Sequence, residues 1–276
     1  MTPAPPPAPA PAPPAIPRPA ASVLLVRAGG RSGVQVYMVR RAKDMRFLGG
    51  WYAFPGGKVD PGDGAPEMLG RCRGIAPEDA ARVLPALEGI PPIAFCVTAA
   101  RELLEETGVL MACDDSGRAV SMADPAVAAR AEEMRRALMA GDAPLAELLV
   151  RAGFWLDLGP LRYLSHFITP PSSPIRFTAR FFLAPVPDGQ APQLFTEETS
   201  EGFWIDPPDG VERYEAGEMP MAEPASAALR YLVGFTGIDA LWTAHDDRRH
   251  KFHGIDDRLI AAGAKLKPRP GARPAS

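Results

Sequence analysis

From Arg101 to Val109 the chain reads RELLEETGV, with Glu102, Glu105 and Glu106 at positions i, i+3 and i+4. At about 3.6 residues per turn these positions share one helical face, so a helix here sets three carboxylates side by side. Like charges at that spacing repel and raise one another's pKa. Such a face is either left in solvent as an ordinary acidic surface or given a counter-charge. Carboxylate oxygens suit hard cations, and Mg2+ is usually held by a few carboxylates with water and substrate phosphate completing its shell. The neighbouring residues favour the second option. Arg101 precedes Glu105 by one helical turn and can pair with it, Gly108 is a helix stop, and Cys96, Ala100, Leu103 and Leu104 form an apolar opposite face. Pro91-Pro92 suits a helix start, which predicts a helix from Ile93 to Thr107.

Upstream, Phe54-Pro55-Gly56-Gly57-Lys58 reads as a tight turn whose glycines let backbone approach an ion closely. Together these residues resemble a known motif. Arg101 to Val109 matches R-E-U-x-E-E-x-G-U (U apolar) at each position, and Gly57 with Asp63 resembles the G-x5-E that opens the Nudix box, with Asp in place of the usual Glu. The chain therefore resembles the Nudix hydrolases, which cleave diphosphates of nucleosides linked to another moiety. The spacing departs from theirs, because Arg101 follows Gly57 by 44 positions where the box allows 14, so an insertion of about 30 residues lies inside the motif. Arg71 stands at the nominal spacing, but no acidic cluster follows it, so the match is a coincidence.

The resemblance implies an α/β fold, a Nudix-type α/β/α sandwich around a mixed β-sheet with a helical insertion. It implies Mg2+ or Mn2+ held by Glu102, Glu105, Glu106 and the Gly57 carbonyl. Glu105, Glu102 and Arg101 then serve as catalytic residues together with Glu198, the best fit to a glutamate that the family carries on a loop before a Trp, here Trp204. Glu197 and Glu201 are alternatives for that position, and the general base is either Glu198 or one of the helix carboxylates.

Composition bounds the rest. The chain has 276 residues, 46% of them hydrophobic and 23% charged, enough for one sizeable core. Of its 33 prolines many fall in residues 1–20, which predicts a disordered Pro/Ala-rich arm. A net charge of −3 argues against a nucleic-acid binder. No stretch reaches the roughly 20 apolar residues of a membrane span, and three cysteines without a C-x-x-C pair fit a reducing, cytoplasmic setting. The expected partner is a small-molecule nucleoside diphosphate derivative, with a homodimer left open.

In chain order, Ser22 to Ala28 and Val34 to Arg41 read as a hairpin across Gly29-Gly30-Arg31-Ser32-Gly33. The second strand ends in Arg40-Arg41 and the next loop holds Arg46, cations suited to phosphate oxygens or simply to solvent. The insertion, 64–92, carries a helical pattern over Glu78 to Glu88 broken near Pro85. A helical segment at 124–152, from Ala126 to Ala140 and from Leu145 to Ala152, either caps the site or is structural padding. Leu161 to Thr169 and Ile175 to Val186 are strands, and in the second Arg180 shares a face with Arg176, Thr178 and Phe182. Arg180 is expected either to contact phosphate or a catalytic carboxylate, or to staple the sheet. Ala222 to Phe235 closes a domain spanning 21–240, and the tail, 241–276, holds His245, His250 and His253 without a visible scaffold for a metal.

The spacing Arg46-x3-Gly50-x3-Phe54-Pro55-Gly56-Gly57 resembles a signature of coenzyme A diphosphohydrolases, although Val39, Ala42 and Thr178 depart from that branch. This resemblance implies coenzyme A or acyl-coenzyme A as substrate, with Arg40, Arg46 and Arg180 as binding residues. The alternatives are ADP-ribose, NADH or another dinucleotide and, in a different class, a non-catalytic Nudix-fold module that binds a nucleotide or protein.

Overall fold

The structure, a computed structural model, describes residues 14–45, 48–194 and 199–247. Arg46, Glu197, Glu198, His250 and His253 lie outside the described residues. The strands are β1 (Arg18–Arg27), β2 (Gln35–Arg41), β3 (Tyr52–Ala53), β4 (Gly56–Lys58), β5 (Cys72–Arg73), β6 (Ala112–Cys113), β7 (Trp155–Asp157), β8 (Arg162–Ile168), β9 (Phe177–Pro185) and β10 (Thr199–Ile205). The helices are α1 (Pro66–Leu69), α2 (Pro77–Val83), α3 (Ile93–Thr107), α4 (Pro125–Ala140), α5 (Leu145–Ala152), α6 (Pro207–Glu215), α7 (Glu223–Leu232) and α8 (Ile238–Ala244).

Strand β1 organises the main sheet, whose order is β10-β2-β1-β9-β8 with β3 added to β2 and β4 to β1. It runs parallel to β9 from Arg18 to Val26 and antiparallel to β2 and β4, so the sheet is mixed. Its Val23, Leu24, Leu25 and Val26 are all fully buried, because helices cover both faces of a central strand and both sets of alternating side chains meet a core. The Pro/Ala-rich arm is shorter than residues 1–20, since Arg18 to Ala20 already belong to β1. The Arg18 amide bonds the Arg176 carbonyl at 2.9 Å and the Pro19 carbonyl accepts from Val59 at 3.0 Å. Proline is tolerated there because its neighbours need only its carbonyl.

One apolar cluster joins α3, α2, α4, α5 and a small β5-β7-β6 sheet to the face carrying Val23, Leu25, Val39 and Phe182. The other joins α7 and α8 to the face carrying Leu24, Val26, Met38 and Leu183. This is the three-layer α/β/α sandwich expected of the sequence. Helix α3 has the predicted limits and is buried along its first twelve residues, consistent with a helix wedged between the sheet and a further helical layer. Helices α4 and α5 insert Met134, Leu145, Leu148 and Leu149 into the same cluster as α3, so this segment shares the core that α3 packs on.

The tail begins later than 241. Helix α8 buries Leu241 fully, and His245 is fully buried beyond it. His245 Nδ1 donates to the Leu241 carbonyl at 2.7 Å, leaving Nε2 to accept from the Tyr231 hydroxyl at 3.2 Å. A histidine with both nitrogens engaged is a core anchor. Among the described residues no helix is long and apolar enough to cross a membrane, and no disulfide joins Cys72, Cys96 and Cys113.

Leu229 fills the interface between α7 and the sheet without exposed surface. Leu229→Ala is expected to cost about 2–5 kcal/mol, the range for buried leucines that leave a cavity. Urea denaturation should show a lower midpoint at an unchanged m-value.

Candidate active site

The site is assembled where β4 meets the second half of α3. Gly57 pairs with Ala21 of β1, and Gly56 pairs with Ser22. The two glycines are required by contact. A Cβ on Gly56 would lie 2.3 Å from the Ala21 carbonyl oxygen, and one on Gly57 would lie 2.3 Å from Glu102 Oε1. Only a bare backbone lets the helix carboxylate approach this closely. Glu106 reaches the same strand, its Oε2 accepting from the Gly56 amide at 3.2 Å. The two parts of the motif are thus adjacent despite the insertion.

Arg101 joins them. Its side chain is 6% exposed, and its guanidinium serves four acceptor groups at once. Nε and Nη2 grip Asp63 Oδ1 and Oδ2 at 2.9 Å each, and Nη2 also donates to the Lys58 carbonyl at 2.8 Å. Nη1 donates to Glu102 at 2.9 Å and to Glu105 at 3.1 and 3.2 Å. The bidentate geometry is the strong form of an Arg–carboxylate contact. Asp63 is held in turn by the Thr98 hydroxyl at 2.7 Å and the Asp60 amide at 3.0 Å. A 3-10 turn, Pro61–Gly64, brings its backbone close enough for the shorter Asp to serve where the box usually has Glu.

Burial acts on these charges unequally. Desolvation is the largest effect on Glu102 and pushes its pKa up to about 7, with Arg101 pulling it down and Glu105 and Asp63 adding to the rise. Glu105 is raised for the same leading reason. Burial alone would lower the pKa of Arg101, but its bonds to Asp63 and the charges of Glu102 and Glu105 outweigh that and raise it. One permanent cation therefore faces three carboxylates, and two of those retain protons more readily than ordinary glutamates. The thiols offer no nucleophile near this site, since Cys72 is pushed up to about 12 by burial and by Asp63.

Glu102, Glu105, Glu106 and the Gly57 backbone are hard oxygen donors, the set that fits Mg2+ or Mn2+, and the absence of a side chain at Gly57 lets the Glu102 carboxylate lie against that backbone. Among the described residues no three acidic, His or Cys side chains converge on one point. Arg101 holds Glu102 and Glu105, and Glu106 is turned to the Gly56 amide, so binding an ion requires some of these carboxylates to re-aim.

The remaining expected residues separate. Arg40 lies at the end of β2 with its side chain 35% exposed, its guanidinium over the Tyr52 ring and 4.0 Å from Glu201. Glu201, an alternative to Glu198, stands opposite Arg40 on β10. Arg180 is a correction. It is 1% exposed, stacked at 4.0 Å on the Phe95 ring, and donates to the Thr178 hydroxyl and to the Pro85 carbonyl of the insertion. A guanidinium enclosed in this way packs the insertion and α3 onto β9 and presents no face to a substrate phosphate. Thr98 went unnoticed in the sequence. Its place one turn before Arg101 is the only signal that could have suggested it.

Comparison with known proteins agrees with this fold. A solved Nudix hydrolase structure from Alicyclobacillus acidocaldarius is 34% identical and superposes with a TM-score of 0.69 over 83% of this chain and 96% of that one. The acyl-coenzyme A diphosphatase NUDT19 of Gallus gallus is 26% identical over 272 residues, 84% of this chain and 72% of its own length. A nudix hydrolase from Caenorhabditis elegans is 30% identical over 207 residues, 75% of this chain and 57% of its own. No family model matches the chain.

Two outcomes follow from the buried charges. Asp63→Ala strands the Arg101 guanidinium and should lower stability by about 3–5 kcal/mol in chemical denaturation, the usual cost of breaking a buried pair. Glu102 binds more protons folded than unfolded between its ordinary pKa of 4.5 and about 7. Without metal, stability should therefore fall as pH rises through that window and level off above it, and Glu102→Gln should flatten the profile.

Proposed function

The chain belongs to the Nudix hydrolase family, and we propose that it hydrolyses the diphosphate of coenzyme A or an acyl-coenzyme A to a phosphopantetheine and adenosine 3′,5′-bisphosphate. Enzymes of this family are diphosphohydrolases that generally use divalent metals such as Mg2+. The observation that supports this substrate is the likeness to an acyl-coenzyme A diphosphatase along 84% of the chain.

We assign Glu102, Glu105, Glu106 and the Gly57 carbonyl as the groups that hold the metal. When bound, the ion offsets the negative charge of the diphosphate and favours attack of water on phosphorus. The chain's own residues do the rest. Arg101, enclosed by its acceptors, is a positioning residue that fixes Glu102 and Glu105 on the strand side of α3. A glutamate, either Glu198 or one of the helix carboxylates, accepts the proton that water loses as the bridging P–O bond breaks. Arg40, with Arg46 in the same region of sequence, supplies the cation for the 3′-phosphate, which distinguishes coenzyme A from ADP-ribose and NADH.

Hydrolysis of coenzyme A, 3′-dephospho-coenzyme A, ADP-ribose and NADH with Mg2+ should show coenzyme A preferred by kcat/KM. Arg40→Ala should narrow its advantage over the dephospho form, a comparison that cancels the chemistry common to both. Faster turnover of ADP-ribose than of coenzyme A by the unaltered protein would replace the substrate assignment. Glu105→Gln and Glu106→Gln remove charge with little change of volume. Each should lower turnover by more than the roughly 10–100-fold that loss of an outer-shell partner costs a metal site, and near-normal rates in both would sink the metal assignment.

A further inference from the structure

Shortly before the glycine turn in sequence stands an aromatic ring without an assigned task. Trp51 is 36% exposed, and no other aromatic side chain among the described residues is as open. The other tryptophans are covered. Trp155 lies between the guanidinium groups of Arg71 and Arg73, Trp204 lies under Arg27 and against Tyr37, and Trp242 packs on the second apolar cluster. Exposing an indole forgoes burial of one of the largest apolar surfaces a side chain offers, and an open ring on the segment that leads into the glycine turn suggests a ligand that covers it.

Its direction follows from the strand pattern. Tyr52 and Phe54 enter the second cluster, so Trp51 and Ala53 face the opposite side of the sheet, the side packed by α3. The pairing of Ala53 with Val39 and of Tyr52 with Arg40 sets Trp51 opposite Arg41. The Arg41 amide donates to the Trp51 carbonyl at 2.9 Å, the Gly50 amide to the Arg41 carbonyl at 3.1 Å, and the Trp51 amide to the Leu48 carbonyl at 3.1 Å. Leu48 has φ of 52°, the one non-glycine positive φ among the described residues. Strain of that kind persists where the surroundings enforce a particular backbone path. Trp51 is thus held in place before any ligand arrives, and it leads directly into the Phe54-Pro55-Gly56-Gly57 run that meets the carboxylates.

We propose that Trp51 is the platform on which the adenine base of the substrate stacks. A planar base matches an indole face at the rim of a sheet, whereas the flexible aliphatic pantetheine arm has no such face. Arg41, opposite Trp51 at the end of β2, is the cation that the strand alternation sets on the same side of the sheet, where the ribose phosphate of an adenine nucleotide would meet it. The inference rests on the adenosine-diphosphate reading of the substrate, and it applies equally to coenzyme A and to its adenine-containing alternatives.

Tryptophan emission, titrated with adenosine 3′,5′-bisphosphate and separately with 4′-phosphopantetheine, tests the proposal without turnover or metal. The bisphosphate should quench the unaltered protein, and phosphopantetheine should not. Trp51→Phe should lose most of the quench while keeping affinity within about threefold. Trp51→Ala should weaken binding about tenfold by calorimetry, toward the lower end of what a stacked base loses with its aromatic partner. Unchanged affinity in Trp51→Ala, or absence of quench at saturating bisphosphate, overturns the role of Trp51. If the unaltered protein still hydrolyses coenzyme A in that case, the substrate assignment stands alone. If it hydrolyses no adenosine diphosphate derivative, both fall.

Discussion

The guanidinium of Arg101 is the group on which the site depends. Glu102 and Glu105 on one helical face, a third carboxylate at Asp63 and the Lys58 carbonyl meet around it with little solvent, and desolvation would drive such charges apart or protonate them. A planar cation with five donors in fixed directions can satisfy this arrangement where a lysine ammonium could not. Each arm of the fork ends on a different element. Asp63 belongs to the turn after β4, Glu102 and Glu105 to α3, and the Lys58 carbonyl to β4 itself. The bonds that neutralise the helix face are the same bonds that set it against the strand.

That arrangement explains how the motif survives an insertion between its halves. Closing a longer loop costs entropy that grows only logarithmically with length, so the added residues are tolerated if their ends are pinned. One end is pinned by Asp63 on Arg101 and Thr98. Near the other, Arg180 donates to the Pro85 carbonyl from β9 while stacking on Phe95 of α3. Two buried arginines, 101 and 180, therefore hold the excursion from opposite sides, the first through carboxylates and the second through a carbonyl, a hydroxyl and a ring.

Much of this could be read from residue patterns, and the parts that could not share a cause. Helix α3 was legible to its ends because Pro91-Pro92, the apolar 3.6-residue period and Gly108 all act within one segment. The β1–β2 hairpin was legible for the same reason, through a glycine-rich turn between apolar runs. Arg180 was placed on the correct face of its strand by the two-residue period. What covers it depends on Phe95 and Pro85, which are distant in sequence and carry no local sign of the contact. The two- and three-residue strands β5, β6 and β7 are too short for any periodicity to register. His245 looked like part of a loose tail because its partners, Leu241 and Tyr231, become partners only when α7 and α8 pack together.

The distribution of exposed and buried cations separates chemistry from recognition. With a net charge of −3 the chain has no general attraction for polyanions, so a doubly or triply phosphorylated small molecule must be met by local features. Arg101 is unavailable for that purpose, since its donors are directed at the protein's own carboxylates. Arg40 is partly open, lies at a sheet end and, among the described residues, meets the Gly50 carbonyl, the Tyr52 ring and, at longer range, Glu201. A weakly held cation can exchange such contacts for a phosphate at small cost, whereas a fully bonded, buried one cannot. On the proposed assignment, substitutions at the β2–β3 end are therefore expected to alter which diphosphate is accepted without disturbing the fork around Arg101, and substitutions at the fork to disturb the chemistry for every substrate alike.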